Sequence, residues 1–350
     1  MQVKCGRLIG CGAALADATI VAMWRRRDIF LVVCLLVSAA KVSAQQLSVA
    51  DGIRVGEFYR LAPVIEDRIW PEWSKTPAPL LLISADSEFL THYPDVPADF
   101  KLAGGGFYVR PRQFPIHLEA TFPAFGPLAV IVIGEPQNTA SKTSTSWLVV
   151  LMHEHFHQLQ DGTPGYFDAV ANLGLSRGDK TGIWMLNYPF PYAKPEIAQS
   201  FGQLRDLLLK TVGETDPSSF RKDASEYVAM RRRFFAQLSS DDHKYLSFQL
   251  WQEGIARYTQ IMAAEAAASY KPTAAFAALP DYESFDVYAK RARAETLNEL
   301  RSVDLMKAGR GAIYPFGAAE GLLLDRLNPR WKDEYFTHLL STDALFVAAP

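Results

Sequence analysis

His153, Glu154 and His157 stand in the pattern His-Glu-x-x-His, and this spacing constrains the chain more than any other feature. Positions i and i+4 share one face of a helix. A helix through 153–157 therefore aims two imidazoles at one point. Glu154 lies one step round, within reach of a water bound at that point. Two neutral nitrogen donors and a carboxylate base are what metal-assisted hydrolysis requires.

The flanks support a helix. Ser144, Thr145 and Ser146 supply N-cap residues before it, and Gly162 supplies a stop after it. Leu148, Leu151, Met152, His155, Phe156 and Leu159 follow helical spacing. They make a core face beside the His153/His157 face. His155 lies two positions from each imidazole and is expected to pack or support. The competing reading is a buried helix whose histidines hydrogen-bond to backbone.

A catalytic zinc needs a third protein donor and one open position. Glu253 is the expected donor, in Trp251-Gln252-Glu253-Gly254-Ile255-Ala256-Arg257-Tyr258. The apolar positions there are helically spaced, and Gly254 and Ala256 are small enough to let another helix approach. Glu226, His243 and Glu320 are the other donors weighed. Glu226 precedes the basic run Arg231-Arg232-Arg233 and reads as a salt-bridged helix face. Glu320 sits among small residues and reads as a supporting or substrate-binding carboxylate.

The pair His-Glu-x-x-His and Trp-x-Glu-Gly-x-Ala-x-Tyr resembles the gluzincin branch of zinc metallopeptidases. The resemblance covers two helices well and the rest of the chain loosely. It implies His153, His157 and Glu253 as ligands of one Zn2+ ion and Glu154 as general base. It also implies a zincin-like α+β fold. An N-terminal lobe would bear a sheet and the motif helix, and the C-terminal lobe would be mainly helical. Two departures stand out. The gap between His157 and Glu253 is longer than many gluzincins have, and the position four residues after Glu253 is Arg257 where many carry Asp. The partner that orients His153 is therefore not evident. Gluzincins commonly stabilise the oxyanion with a Tyr or His. Tyr258, Tyr314 and His243 are the candidates, and Tyr314 is preferred because Ile313-Tyr314-Pro315-Phe316 reads as a loop at a helix junction.

The N-terminus reads as an export signal. Trp24-Arg25-Arg26-Arg27 is a basic region, 29–37 an apolar run, and Val42-Ser43-Ala44 a small-x-small cleavage site. Residues 1–44 are thus the expected signal, with Met23 the expected true start. The apolar run is too short for a comfortable membrane span. The remainder is expected to be periplasmic or secreted, with no stable membrane insertion. All three cysteines precede the cleavage site, so residues 45–350 offer neither a disulfide nor a thiolate. The first 44 residues carry six basic and two acidic side chains. Residues 45–350 have 30 Lys and Arg against 36 Asp and Glu, a net charge of −6. That balance offers no footprint for nucleic acid or anionic lipid.

Residues 45–350 read as one metallopeptidase-like domain, with the sheet and motif helix in 45–192 and helices in 193–350. A helix is expected within 45–75. Strands are expected at 80–83, 106–109 and 128–133, and either of the last two is the expected edge strand for an extended peptide. Residues 163–200, rich in Gly, Pro, Tyr and Trp, are a candidate active-site wall or lid. Helices fill 196–270 and 282–308, a break spans 309–316, and a last long helix runs from Ala318 to Leu327. The expected partner is a peptide or protein substrate. The rival readings are a zinc hydrolase of a non-peptide amide or ester, and a non-catalytic exported binding protein with a vestigial metal site.

Overall fold

The computed structural model describes residues 46–346. The expected export signal and its expected cleavage site lie outside them. The architecture is mixed α and β, with one six-stranded sheet and a larger helical part. No helix among the described residues is long and apolar enough to cross a membrane.

Helix α1 (Val49–Ile69) comes first. The sheet comes next: β1 (Leu80–Ile83), β2 (Ser87–Thr91), β3 (Lys101–Gly104), β4 (Phe107–Pro111), β5 (Glu119–Phe122) and β6 (Val130–Gly134). Their spatial order is β3-β4-β2-β1-β6-β5. Only β1 and β6 pair in parallel; the other neighbours are antiparallel. Both faces are covered, which is why β1 and β6 are unbroken apolar runs. Leu80, Leu82, Ile131 and Ile133 face the helices, while Leu81, Ile83, Val130 and Val132 pack under Tyr93 and Phe100.

The three expected strand runs are found, and β2, β3 and β5 were not foreseen. The edge assignment is corrected. The Gly-preceded strand β4 and the apolar strand β6 are both internal, and the edges are β3 and β5. An apolar strand buried on both faces belongs at the centre of a sheet, so β6 could not have been an edge.

Helix α2 (Ser144–Asp161) carries the motif and is buried along almost its whole length. Its start is fixed by side chains. Ser144 Oγ accepts from Arg54 Nε at 2.7 Å and donates to Asp281 at 2.7 Å. Its far half is tied to the sheet by Gln158, whose amide donates to the carbonyls of Pro79 and Ala129 at 3.0 Å each.

The rest is helical: α3 (Tyr166–Asn172), α4 (Trp184–Asn187), α5 (Pro195–Gly213), α6 (Pro217–Ala236) and α7 (Ser240–Gln249). A π-helical turn, Leu250–Gly254, runs on into α8 (Ile255–Ala267). Then come α9 (Ala274–Ala277), α10 (Phe285–Ser302), α11 (Leu305–Ala308), α12 (Ile313–Leu327) and α13 (Trp331–Tyr335). One principal apolar core runs from Val55 to Phe346 and includes residues of α1, the sheet, α2 and the later helices. The expected break at 309–316 is a 3-10 turn over Gly309–Ala312 followed directly by α12. Pro315 is tolerated because it lies in the first turn, where an N–H has no intrahelical partner.

Gly254 and Gly317 bring the π turn and α12 into backbone contact. A Cβ on Gly317 would lie 2.4 Å from Gly254 Cα. The close approach expected of Gly254 is therefore made to α12. Gly317→Ala must push the two helices apart, and we expect it to cost about 1–3 kcal/mol, the usual penalty for overpacking. Gly202→Ala in α5 is the control, since a Cβ there meets nothing within 4 Å. It is expected to stabilise by about 0.4–1 kcal/mol. Denaturant unfolding of both variants measures the contrast.

Candidate metal centre

His153 and His157 stand one turn apart on α2, and their Nε2 atoms are 3.2 Å apart. Glu253, on the π turn, brings its Oε2 to 3.4 Å from His157 Nε2 and 3.8 Å from His153 Nε2. Among the described residues these three form the one group of His, Cys, Asp or Glu able to share an ion. The sequence separation of 96 positions between His157 and Glu253 is spanned by tertiary folding. A π turn adds a residue to the helical turn and re-aims the side chains beyond it, and such turns recur at functional sites.

His157 is held by its other nitrogen. Its Nδ1 lies 2.7 Å from Gln160 Oε1. The Gln160 amide nitrogen donates to the Trp251 carbonyl at 3.0 Å and the Tyr335 hydroxyl at 2.7 Å, so its oxygen must be the acceptor. That places the Nδ1 hydrogen on Gln160 and turns Nε2 inward. His153 lacks such a support: its Nδ1 is buried without a hydrogen-bond partner among the described residues. Burial opposes a charge on His157, but the Glu253 carboxylate, and Glu154 beyond it, prevail and raise its pKa to about 9. Burial pushes Glu253 up, and His157, His153 and Arg310 more than reverse it, holding its carboxyl well below the usual range.

Glu154 faces the sheet edge. Its Oε2 accepts from Thr121 Oγ1 on β5 at 2.8 Å. Tyr314 sits in the first turn of α12, not in a loop, and its ring stacks near His153 with centroids 6.4 Å apart. Its hydroxyl oxygen accepts from Arg310 at 2.7 Å and its hydrogen has no acceptor among the described residues. Burial above all, with the nearby Glu253 charge, raises the Tyr314 pKa, so the phenol keeps its proton. The 163–200 segment contributes Tyr192, which packs beside Gly309 and bonds Tyr245.

The remaining candidates lie elsewhere. His155 stacks on Trp73 and bonds Glu66 at 3.0 Å and Gln158 at 2.8 Å, the supporting role expected of it. Tyr258 bonds Asp325 at 2.8 Å, His243 bonds Asp343 at 3.0 Å, and Glu226 is exposed. Glu320 is buried against Arg231 at 2.7 Å, and Arg257 bonds Glu299 and Gln260. Four nearby residues were not foreseen: Thr121, Gln160, Asp161 and Arg310. Asp161 repeats the four-residue spacing after His157, and burial raises its pKa to about 7. Gln160 stands three residues after His157, on the same helix face, a local spacing that could have found it.

No known family's sequence pattern matches the chain, and neither a curated protein nor a solved structure matches it.

Proposed function

We propose that His153, His157 and Glu253 hold one Zn2+ ion and that the protein is a zinc-dependent hydrolase of peptide bonds. The spacing of the three donor atoms carries this reading. A charge-assisted hydrogen bond between imidazolium and carboxylate closes to about 2.7–2.9 Å. The two imidazole–carboxylate separations here are 3.4 and 3.8 Å, and the two imidazole nitrogens stand 3.2 Å apart. Donors sharing a tetrahedral ion through bonds of 2.0–2.1 Å stand about 3.3 Å apart. The order of sheet, motif helix and later carboxylate helix is also the zincin order that the sequence resemblance implies.

Bound zinc supplies a Lewis acid for the scissile carbonyl and acidifies the attacking water. Glu154 takes the water's proton and delivers it to the leaving amine as the C–N bond breaks. Tyr314 turns its free O–H toward the developing oxyanion. The peptide substrate is favoured by β5. Its outer edge has no strand partner among the described residues, and Thr121 on it touches Glu154. An extended chain added along β5 passes the site with main-chain hydrogen bonds. The export signal expected in residues 1–44 would make this an exported enzyme.

Zinc analysis of the purified protein, with hydrolysis of a mixed peptide pool, tests the proposal. One ion per chain and zinc-dependent cleavage are expected. A metal-bound protein that turns over esters or small amides and no peptide favours the non-peptide reading.

The raised His157 pKa adds a pH prediction. Zn2+ must displace the His157 proton, so binding near neutral pH is expected to release about one proton per ion. Apparent affinity falls about tenfold for each pH unit below 9. Calorimetry in two buffers of different protonation enthalpy counts that proton. Affinity indifferent to pH would contradict the assignment.

A further inference from the structure

Arg310 touches three groups around the metal centre at once. Its NH2 donates to Glu253 Oε1 at 2.6 Å, its NH1 to the Tyr314 hydroxyl at 2.7 Å, and its Nε to Gln249 Oε1 at 2.8 Å. It is the second residue of the 3-10 turn that precedes α12, while Glu253 and Gln249 lie on and beside the π turn. The guanidinium therefore bridges the two elements whose glycines are in backbone contact.

The contacts divide the work. Glu253 has two oxygens: Oε1 is taken by Arg310 and Oε2 faces both imidazoles. A carboxylate so tied offers one oxygen in a fixed direction. The same guanidinium donates to the Tyr314 oxygen, which leaves that hydroxyl's hydrogen free. Gln249 fixes the guanidinium in turn. The planar fork of arginine supplies three such bonds from one rigid group, which a lysine ammonium cannot reproduce in that geometry.

We propose that Arg310 is the positioning residue of the centre, setting Glu253 for one-oxygen ligation and Tyr314 for donation. It acts from the carboxylate side, where the gluzincin resemblance implies an acid behind a histidine. The inference rests on the reading that Glu253 ligates zinc with the histidine pair. A cation beside a cation also repels it. The proposal requires orientation to outweigh that repulsion, and the two have opposite signs in experiment.

The test is Zn2+ affinity of the full-length protein, measured by competition with a chromophoric chelator. The chains compared are wild type, His157→Ala, Glu253→Ala, Arg310→Met, Arg310→Lys and the Arg310→Met/Glu253→Ala double variant. Arg310→Met is expected to bind Zn2+ about 10–100-fold more weakly than wild type, the usual loss when a ligand's supporting partner is removed. Arg310→Lys keeps the charge and is expected to weaken binding as well, and it carries the test if the Met variant does not fold. Because Arg310 acts through Glu253, Arg310→Met should add less than about twofold on the Glu253→Ala background. Unchanged or tighter Zn2+ binding in Arg310→Met overturns the inference. So does an equal loss on both backgrounds, the sign of a merely structural role. Failure of the metal reading is seen separately: wild type then binds no Zn2+, or His157→Ala binds it equally well, and both proposals fall.

Discussion

Glu154→Gln is expected to leave zinc bound and to lower peptide hydrolysis by about 10²–10⁴-fold, the contribution a positioned general base makes. The two side chains have the same shape, and the Gln carbonyl can still accept the Thr121 hydroxyl that holds Glu154 at 2.8 Å. The fold and the three donors should therefore be unchanged, and only the proton acceptor is lost. Zinc content and turnover of a peptide pool, measured on the same preparation, separate the two effects. Full activity in this variant would remove Glu154 from the chemistry. Loss of zinc together with activity would mean that Glu154 serves the metal site rather than the water.

The parts of the site that the sequence exposed are those set by local periodicity. His153 and His157 are one helical turn apart, and the apolar face beside them is continuous, so their convergence came from helix geometry alone. Glu253 was legible from its small neighbours, although Gly254 makes its close approach to Gly317. Arg310 left no such trace. It meets Glu253 across 57 positions, and nothing local ties the two. Thr121 was hidden for another reason. Glu119–Phe122 is a four-residue edge strand, half-buried throughout, and its alternation Glu-Ala-Thr-Phe is too short, with one large apolar side chain, to mark a strand by itself. In β2, Glu88 is fully buried, held by Arg110 at 2.8 Å and by the Gln113 backbone at 2.6 Å. A buried charge in a strand reads as a loop until its partners are known. Tyr314 lies in a helix although Ile313-Tyr314-Pro315-Phe316 reads as a loop at a helix junction. It nonetheless lies beside His153, because the first turn of α12 begins there.

The largest stability effect is expected away from the site, at Glu320. As a sequence feature it resembled a supporting carboxylate of the centre. In the fold it is 1% exposed, bonded by Arg231 Nε at 2.7 Å and by the Tyr227 hydroxyl at 2.5 Å. Burial works against a charged Arg231, but Glu320 and Asp343 overcome it and raise its pKa. Glu320→Ala leaves that guanidinium in the core with the half-buried Asp343 as its one remaining carboxylate partner among the described residues, and breaking one side of a buried pair costs about 3–5 kcal/mol. Replacing both partners, as Glu320→Leu with Arg231→Met, removes both buried charges, leaves the half-buried Asp343 bonded to His243 at 3.0 Å, and should recover most of the loss, since apolar substitutes for a buried pair are often neutral. Denaturant unfolding of the single and double variants measures the recovery. Zn2+ affinity measured alongside should be unchanged wherever the protein is folded, because Glu320 bonds none of the residues around the centre. A double variant no more stable than Glu320→Ala would mean that packing at this position, rather than charge pairing, accounts for the loss.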